Sequence, residues 1–114
     1  MTLALTETAT VRLDTLGRGS VKLGPRRQNI RWSITSVAVT NDGTSHKPLA
    51  IVYVGNVGTA NQYHGTYSGN SDRTDADITL YSGEYITVEW TGGDVNSLSE
   101  ARITLTEDRD DASL

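Results

Sequence analysis

Apolar side chains in this chain recur at every second position, in short runs broken by turn residues roughly every ten positions. Val11 and Leu13 alternate with Thr10 and Arg12, and Val21 and Leu23 with Ser20 and Lys22. Ile86, Val88 and Trp90 alternate with Tyr85, Thr87 and Glu89, and Ala101, Ile103 and Leu105 with Arg102, Thr104 and Thr106. A period of two sends successive side chains to opposite faces of a strand, so each run describes a strand with one buried and one wet face. Helical periodicity is nearly absent. The one helix-like start, Asn96 to Glu100, predicts a single short turn in which Ser97 and Glu100 form a capping box.

The turns set the order of these strands. Leu16 to Gly19 predicts a hairpin-like connection between the first two runs, its glycines supplying positive φ. Gly24-Pro25 stops the second run, because proline donates no ladder hydrogen bond. Ile30 to Thr40 is the longest strand candidate. Ile30, Trp32 and Ile34 share one face, whereas Val37 and Val39 fall on the other, which predicts a bulge or a crossing between sheets near Thr35-Ser36. Asn41-Asp42-Gly43 is a turn signal. Leu49 to Val54 is apolar on both faces, as in a central strand. Ile78 and Leu80 begin a further strand, closed by Ser82-Gly83, and Thr91 to Asp94 breaks the next one. Seven or eight short strands spaced this way predict an antiparallel sandwich or barrel, and the fold expected is an all-β, antiparallel, jelly-roll-like β-sandwich. One domain over residues 1–107, opening with an N-terminal strand or arm, precedes an acidic tail at 108–114.

The core available to such a sandwich is thin: apolar residues make up 36% of 114 residues, aromatics 6%, and phenylalanine is absent. Trp32 and Trp90, each on the apolar face of its run, are expected in the core, and oligomerisation is expected to complete the burial. Without cysteine there is no disulfide and no thiolate to bind zinc or attack a substrate. No stretch approaches the roughly 18 apolar residues that span a bilayer. Met1 to Leu13 lacks the basic start and apolar core of a secretory signal.

The net charge of −4 is unevenly distributed. Arg12, Arg18, Lys22, Arg26, Arg27 and Arg31 face only Glu7 and Asp14 in the first third, and acidic residues dominate thereafter. This polarity reads as solvated faces, or as a basic segment, with Arg18, Arg26 and Arg27 as contacts, that docks on an acidic surface such as a neighbouring copy. Nucleic acid is not an expected partner, since the chain is acidic overall and no aromatics interleave the basic residues.

Gly55 to Asp77 is almost devoid of apolar residues and reads as one long loop, rich in glycine, hydroxyl and amide side chains. Such a loop in a small domain is expected to make contacts that matter. Asn61, Tyr63, His64 and Tyr67 are its candidate subunit or ligand contacts, and a carbohydrate-binding module that stacks sugars on Tyr63 and Tyr67 is the alternative function. His64 with Ser68 or Ser71 and Asp72 has the residue types of a hydrolytic triad, but no nucleophile elbow or oxyanion site accompanies them. Asn70 to Asp77 carries closely spaced oxygen ligands. It lacks the central glycine and distal glutamate of a calcium loop, and Asx-turns account for its composition. Glu84 and Glu89 have opposite parity and cannot flank one glycosidic bond. The chain is therefore expected to be non-enzymatic, with no catalytic, metal or cofactor residues.

Three local patterns stand in order along residues 10 to 106. Gly19-Ser-Val-Lys-Leu-Gly-Pro25 precedes Trp32-Ser-Ile-Thr-Ser-Val37; Tyr53-Val-Gly55 precedes Gly65-Thr-Tyr-Ser-Gly-Asn-Ser-Asp72; Leu80-Tyr-Ser-Gly-Glu-Tyr-Ile86 precedes Trp90-Thr-Gly-Gly-Asp94. Together they resemble small virion proteins of tailed bacteriophages of actinobacteria. The resemblance implies a non-enzymatic structural protein on the virion exterior, as a head decoration or minor tail protein, assembled in the host bacterial cytoplasm. It implies contacts with phage capsid or tail proteins and a homo-oligomer, with a trimer favoured. A host-surface glycan is a further partner it allows, and no membrane is involved.

Overall fold

A computed structural model of the chain describes residues 2–63, 67–68 and 71–109. Among the described residues there are eight strands: β1 (Leu3–Arg12), β2 (Gly19–Leu23), β3 (Ile30–Asn41), β4 (Leu49–Val54), β5 (Tyr67–Ser68), β6 (Ser71–Tyr81), β7 (Ile86–Thr91) and β8 (Leu98–Arg109). They form two antiparallel four-stranded sheets, ordered β1-β8-β3-β6 and β2-β7-β4-β5. The antiparallel pairs β1–β8, β2–β7, β3–β6 and β4–β5 are those of one long hairpin folded on itself, with alternate pairs assigned to alternate sheets. This is a jelly roll, and of the sandwich and the barrel that the strand spacing allows it is the sandwich.

The core lies between the sheets, and each strand contributes the face its alternation marks. Val21 and Leu23 of β2, Ala50 and Val52 of β4, and Ile86, Val88 and Trp90 of β7 meet Trp32, Ile34, Val37 and Val39 of β3. Ile78 and Leu80 of β6 and Ala101, Ile103 and Leu105 of β8 complete the layer. Both tryptophans are core residues, Trp90 fully buried and Trp32 nearly so. The phase change in β3 is a bulge. The pairing slips between Ile34 and Ser36, so Thr35 is the extra residue against β8, and its hydroxyl donates to the Thr104 carbonyl at 3.2 Å. The bulge returns Val37 and Val39 to the face that Trp32 and Ile34 occupy, and the strand stays in one sheet.

Four expectations are corrected. β1 and β2 are not a hairpin: they pair with β8 and β7 in different sheets, because the turn at residues 13–18 carries the chain across the sandwich. Residues Ser71 to Asp77 are not loop but the first half of β6, in ladder register with β3 from Ser36↔Asp75 to Thr40↔Ser71. The expected turn of helix from Asn96 is absent. The Ser97 hydroxyl donates to the Asp94 carbonyl at 2.7 Å, and Leu98 already belongs to β8. Finally, Glu84 sits in the β6–β7 turn rather than on a strand, accepting from the Tyr81 N–H at 2.7 Å. β8 extends to Asp108 and Arg109, which pair with Arg31 and Ile30. The rest of the acidic tail is outside the described residues.

The turns that close β1–β2 and β7–β8 are stapled to each other. Gly93 N–H donates to the Gly17 carbonyl at 3.1 Å. Gly17 has φ +72°, and a Cβ placed there would lie 2.2 Å from the Gly93 carbonyl oxygen. Only glycine meets both demands.

Candidate functional surfaces

β1 and β2 form one lateral side of the sandwich, and β6 and β5 the opposite one. Between the β1 and β2 edges the sheets part into a groove of about 440 Å³. Leu5, Ala9, Leu23, Pro25, Ile30 and Trp32 form its apolar lining, and Glu7, Lys22, Arg26, Arg27 and Glu107 its charged one. The rim is built by the segment that follows β2. Gly24 allows the chain to pass within 2.1 Å (measured from an ideal Cβ) of the Glu84 carbonyl, a distance no side chain tolerates. Gly83 N–H donates to the Pro25 carbonyl at 3.1 Å, and the Ser82 hydroxyl to the Arg27 carbonyl at 2.8 Å. These bonds tie residues 25–27 to the β6–β7 turn and present Arg26 and Arg27 to solvent.

At the floor of the groove is a carboxylate that the sequence reading passed over. Glu107 follows Ala101, Ile103 and Leu105 on the core-facing parity of β8 and is 8% exposed. Its Oε1 accepts from the Trp32 indole N–H at 2.9 Å and its Oε2 from Arg27 Nη2 at 2.8 Å. A buried carboxylate is tolerated when both oxygens are satisfied in this way. The signal was in the alternation itself, since an acidic residue stands where the pattern calls for an apolar one.

On the far side, the β6 edge carries Asp72, Arg73, Asp75 and Asp77, all exposed. Asp75 and Asp77 share the outward parity of the strand, and Asp72 has the opposite one. Asp72 turns its oxygens to local backbone, accepting from the N–H groups of Arg73 at 2.8 Å and Ser68 at 3.2 Å. Among the described residues no group of three His, Asp or Glu side chains is placed to hold a metal ion.

The expected contact residues do not form one site. Arg26 and Arg27 sit together on the groove rim, but Arg18 lies beyond the other end of β2, about 17 Å of strand away. There its backbone N–H donates to Asp14 Oδ1 at 3.0 Å, closing the turn. Asn61 ends a short 3₁₀ turn, Thr59–Asn61, and its Nδ2 donates to the Asn56 carbonyl at 2.9 Å. Tyr63 packs against the core, and its hydroxyl accepts from the Asp77 N–H at 2.8 Å. That position ties the β4–β5 connection to β6 and keeps the ring from standing out as a stacking platform. Tyr67 pairs through its backbone with Ala50, and His64 lies outside the described residues, as does any triad built on it.

At the end of the sandwich where β1–β2, β3–β4 and β7–β8 connect, Asp94 joins two of the turns. It accepts from Ser45 N–H at 2.9 Å and contacts His46 Nδ1 at 2.7 Å, and these bonds, the Ser45 one foremost, hold its carboxyl below the usual range. The N–H groups of Arg18 and Leu16 do the same for Asp14. The Thr2 hydroxyl, and after it Arg31, do so for Asp108 beside the groove. These are structural carboxylates, each spent on closing a turn or a strand end.

No protein-family model and no curated protein sequence matches the chain. Among solved structures it is similar to a chain of the acidic stable capsid structure of Helicobacter pylori bacteriophage KHP30. That pair has 14% identity and a TM-score of 0.56, over 96% of this chain and 99% of the other. It also superposes on the Yersinia pseudotuberculosis-derived mitogen, with 14% identity, a TM-score of 0.44, and 91% and 86% of the two chains covered. A family two carbohydrate esterase from Cellvibrio japonicus follows, with 11% identity, a TM-score of 0.35 and coverage of 92% and 35%. Nothing about this chain follows from the last two. The first is a likeness of fold, and it runs end to end in both chains.

Proposed function

We propose that this protein is a non-enzymatic structural component on the exterior of a tailed bacteriophage particle, a head decoration or minor tail protein that assembles through subunit contacts. The observation that carries the reading is that end-to-end match: the jelly roll corresponds over 96% of this chain and 99% of the other to a chain of a phage capsid structure. A fold alone does not fix a function. Here it coincides with an independent resemblance of local sequence motifs to small phage virion proteins, which points to an actinobacterial host. The side chains fit a structural role, because the carboxylates with lowered pKa close turns and strand ends. The partners are then capsid or tail proteins of the same particle and further copies of this chain.

The test is a quantitative mass-spectrometric protein list from purified particles of the phage that encodes the chain. The expected result is a stoichiometric virion component, and its ratio to the major capsid protein separates a head protein at high copy number from a tail protein at low copy number. Detection only in the infected-cell lysate, and never in particles, would overturn the reading.

A further inference from the structure

We infer that copies of this chain associate head-to-tail, the basic β1/β2 side of one copy docking on the acidic β6 side of the next. The topology places these surfaces on opposite sides of the sandwich, as the two edges of one sheet order, β1-β8-β3-β6. On the basic side Lys22, Arg26 and Arg27 are exposed; of the acidic groups there, Glu7 is half-buried, Glu107 is buried and already bound to Arg27 and Trp32, Asp108 is half-buried and paired with Arg31, and Glu84 of the β6–β7 turn is exposed with its Oε1 accepting from the Tyr81 N–H. On the acidic side Asp72, Asp75 and Asp77 outnumber Arg73, all four are exposed, and the neighbouring β4 and the 55–63 segment carry no charge at all. The groove behind the basic rim adds an apolar floor that a partner edge can cover.

Because the complementary surfaces differ, the contact is heterologous. Repeated, it closes into a ring when the rotation between copies permits, and otherwise runs on as a row. Strand polarity is compatible with such a repeat. β1 and β6 run in opposite directions within their sheet, so the next copy presents its β1 antiparallel to β6. The inference names the partner of the surface that the virion reading needs, and it rests on that reading for its purpose. Its test uses isolated protein, so the two fail separately.

The experiment is sedimentation velocity over a concentration series at low and high salt, on wild type and three variants: Lys22→Glu/Arg26→Glu, Asp75→Lys/Asp77→Lys, and the quadruple exchange. Circular dichroism checks that each is folded. Wild type is expected to self-associate, less so at high salt. Each double variant should associate roughly tenfold more weakly, since like charges then face each other across the contact. The quadruple variant should associate again, and so should an equimolar mixture of the two double variants, in strict alternation. Wild type that stays monomeric at every concentration and low salt would overturn the contact. So would an Asp75→Lys/Asp77→Lys variant that associates like wild type, which would place the interface on the β1/β2 side alone, between like surfaces. Folded double variants whose mixture stays monomeric would overturn it as well.

Discussion

Removing the carboxylate of Glu107 tests whether the floor of the groove is held by the indole bond or by the ion pair. In Glu107→Ala the Trp32 N–H, on a side chain only 7% exposed, loses its acceptor. A stranded buried donor costs about 1–3 kcal/mol. The one lost methylene, Cγ, largely buried with the rest of the residue, adds roughly 1 kcal/mol, for a total of about 2–4 kcal/mol. Glu107→Gln keeps an oxygen that can accept from Trp32, and puts an amide NH2 in place of the Oε2 that accepts from Arg27, so the ion pair and its hydrogen bond are lost together. Because the Arg27 side chain is 74% exposed, solvent screens that pair. Both Glu107→Gln and Arg27→Ala should therefore cost about 1 kcal/mol or less. Urea unfolding at neutral pH, followed by far-ultraviolet circular dichroism and tryptophan fluorescence, gives the order: alanine at 107 well below the other two. An alanine variant within about 0.5 kcal/mol of wild type would refute the stranded-donor argument. Equal losses for alanine and glutamine would show that the charge, not the acceptor, is what Trp32 and Arg27 need.

Trp90→Ala, at a fully buried position, should lose roughly 3–5 kcal/mol, and an unchanged urea midpoint would contradict the packing of β7 against β3. Gly17→Ala should destabilise by more than the usual loop substitution, because the new Cβ needs both a positive φ and space that the Gly93 carbonyl occupies. Gly93→Ala meets Leu13 instead, with a Cβ 2.4 Å from its Cδ1, so thermal melts of both variants should drop. Asp14, Asp94 and Asp108 all have carboxyls held below the ordinary aspartate value of 3.8, and the sign of their pH effect follows. The unfolded chain binds protons first, so their stabilisation is present above that value and is lost as pH falls through the lower folded values. Asp94→Asn should accordingly flatten the acid limb of the stability profile, with stability read from urea midpoints at stepped pH. A limb as steep as that of wild type would mean that the bonds to Ser45 and His46 are not what lowers Asp94.

The strands β2, β3, β4, β7 and β8 were legible because each has a dry face deep in the sandwich, and the period-two pattern records that burial directly. The phase change in β3 was legible for the same reason, but whether it marked a bulge or a crossing between sheets was decided by the pairing with β8. The first half of β6 left no such trace. Its inward positions, Asp72, Thr74 and Ala76, lie at the open rim of the core, where a strand needs ladder bonds to β3 but no apolar face. Ser71 to Asp77 therefore read as loop, and the aspartates read as Asx-turn residues rather than as one edge of a sheet. The turn after Leu13 could be seen, but not its direction. Whether it folds β1 back on β2 or carries the chain to the other sheet depends on β8 and β7, about 80 residues away, which offer β1 and β2 separate ladders. The charged surfaces divide in the same manner. The sequence alone determined that the first third is basic and the remainder acidic. Only the tertiary structure decided that Arg26 and Arg27 belong to one side of the sandwich and Asp75 and Asp77 to the other, because sheet order is fixed by long-range pairing, which no local pattern encodes.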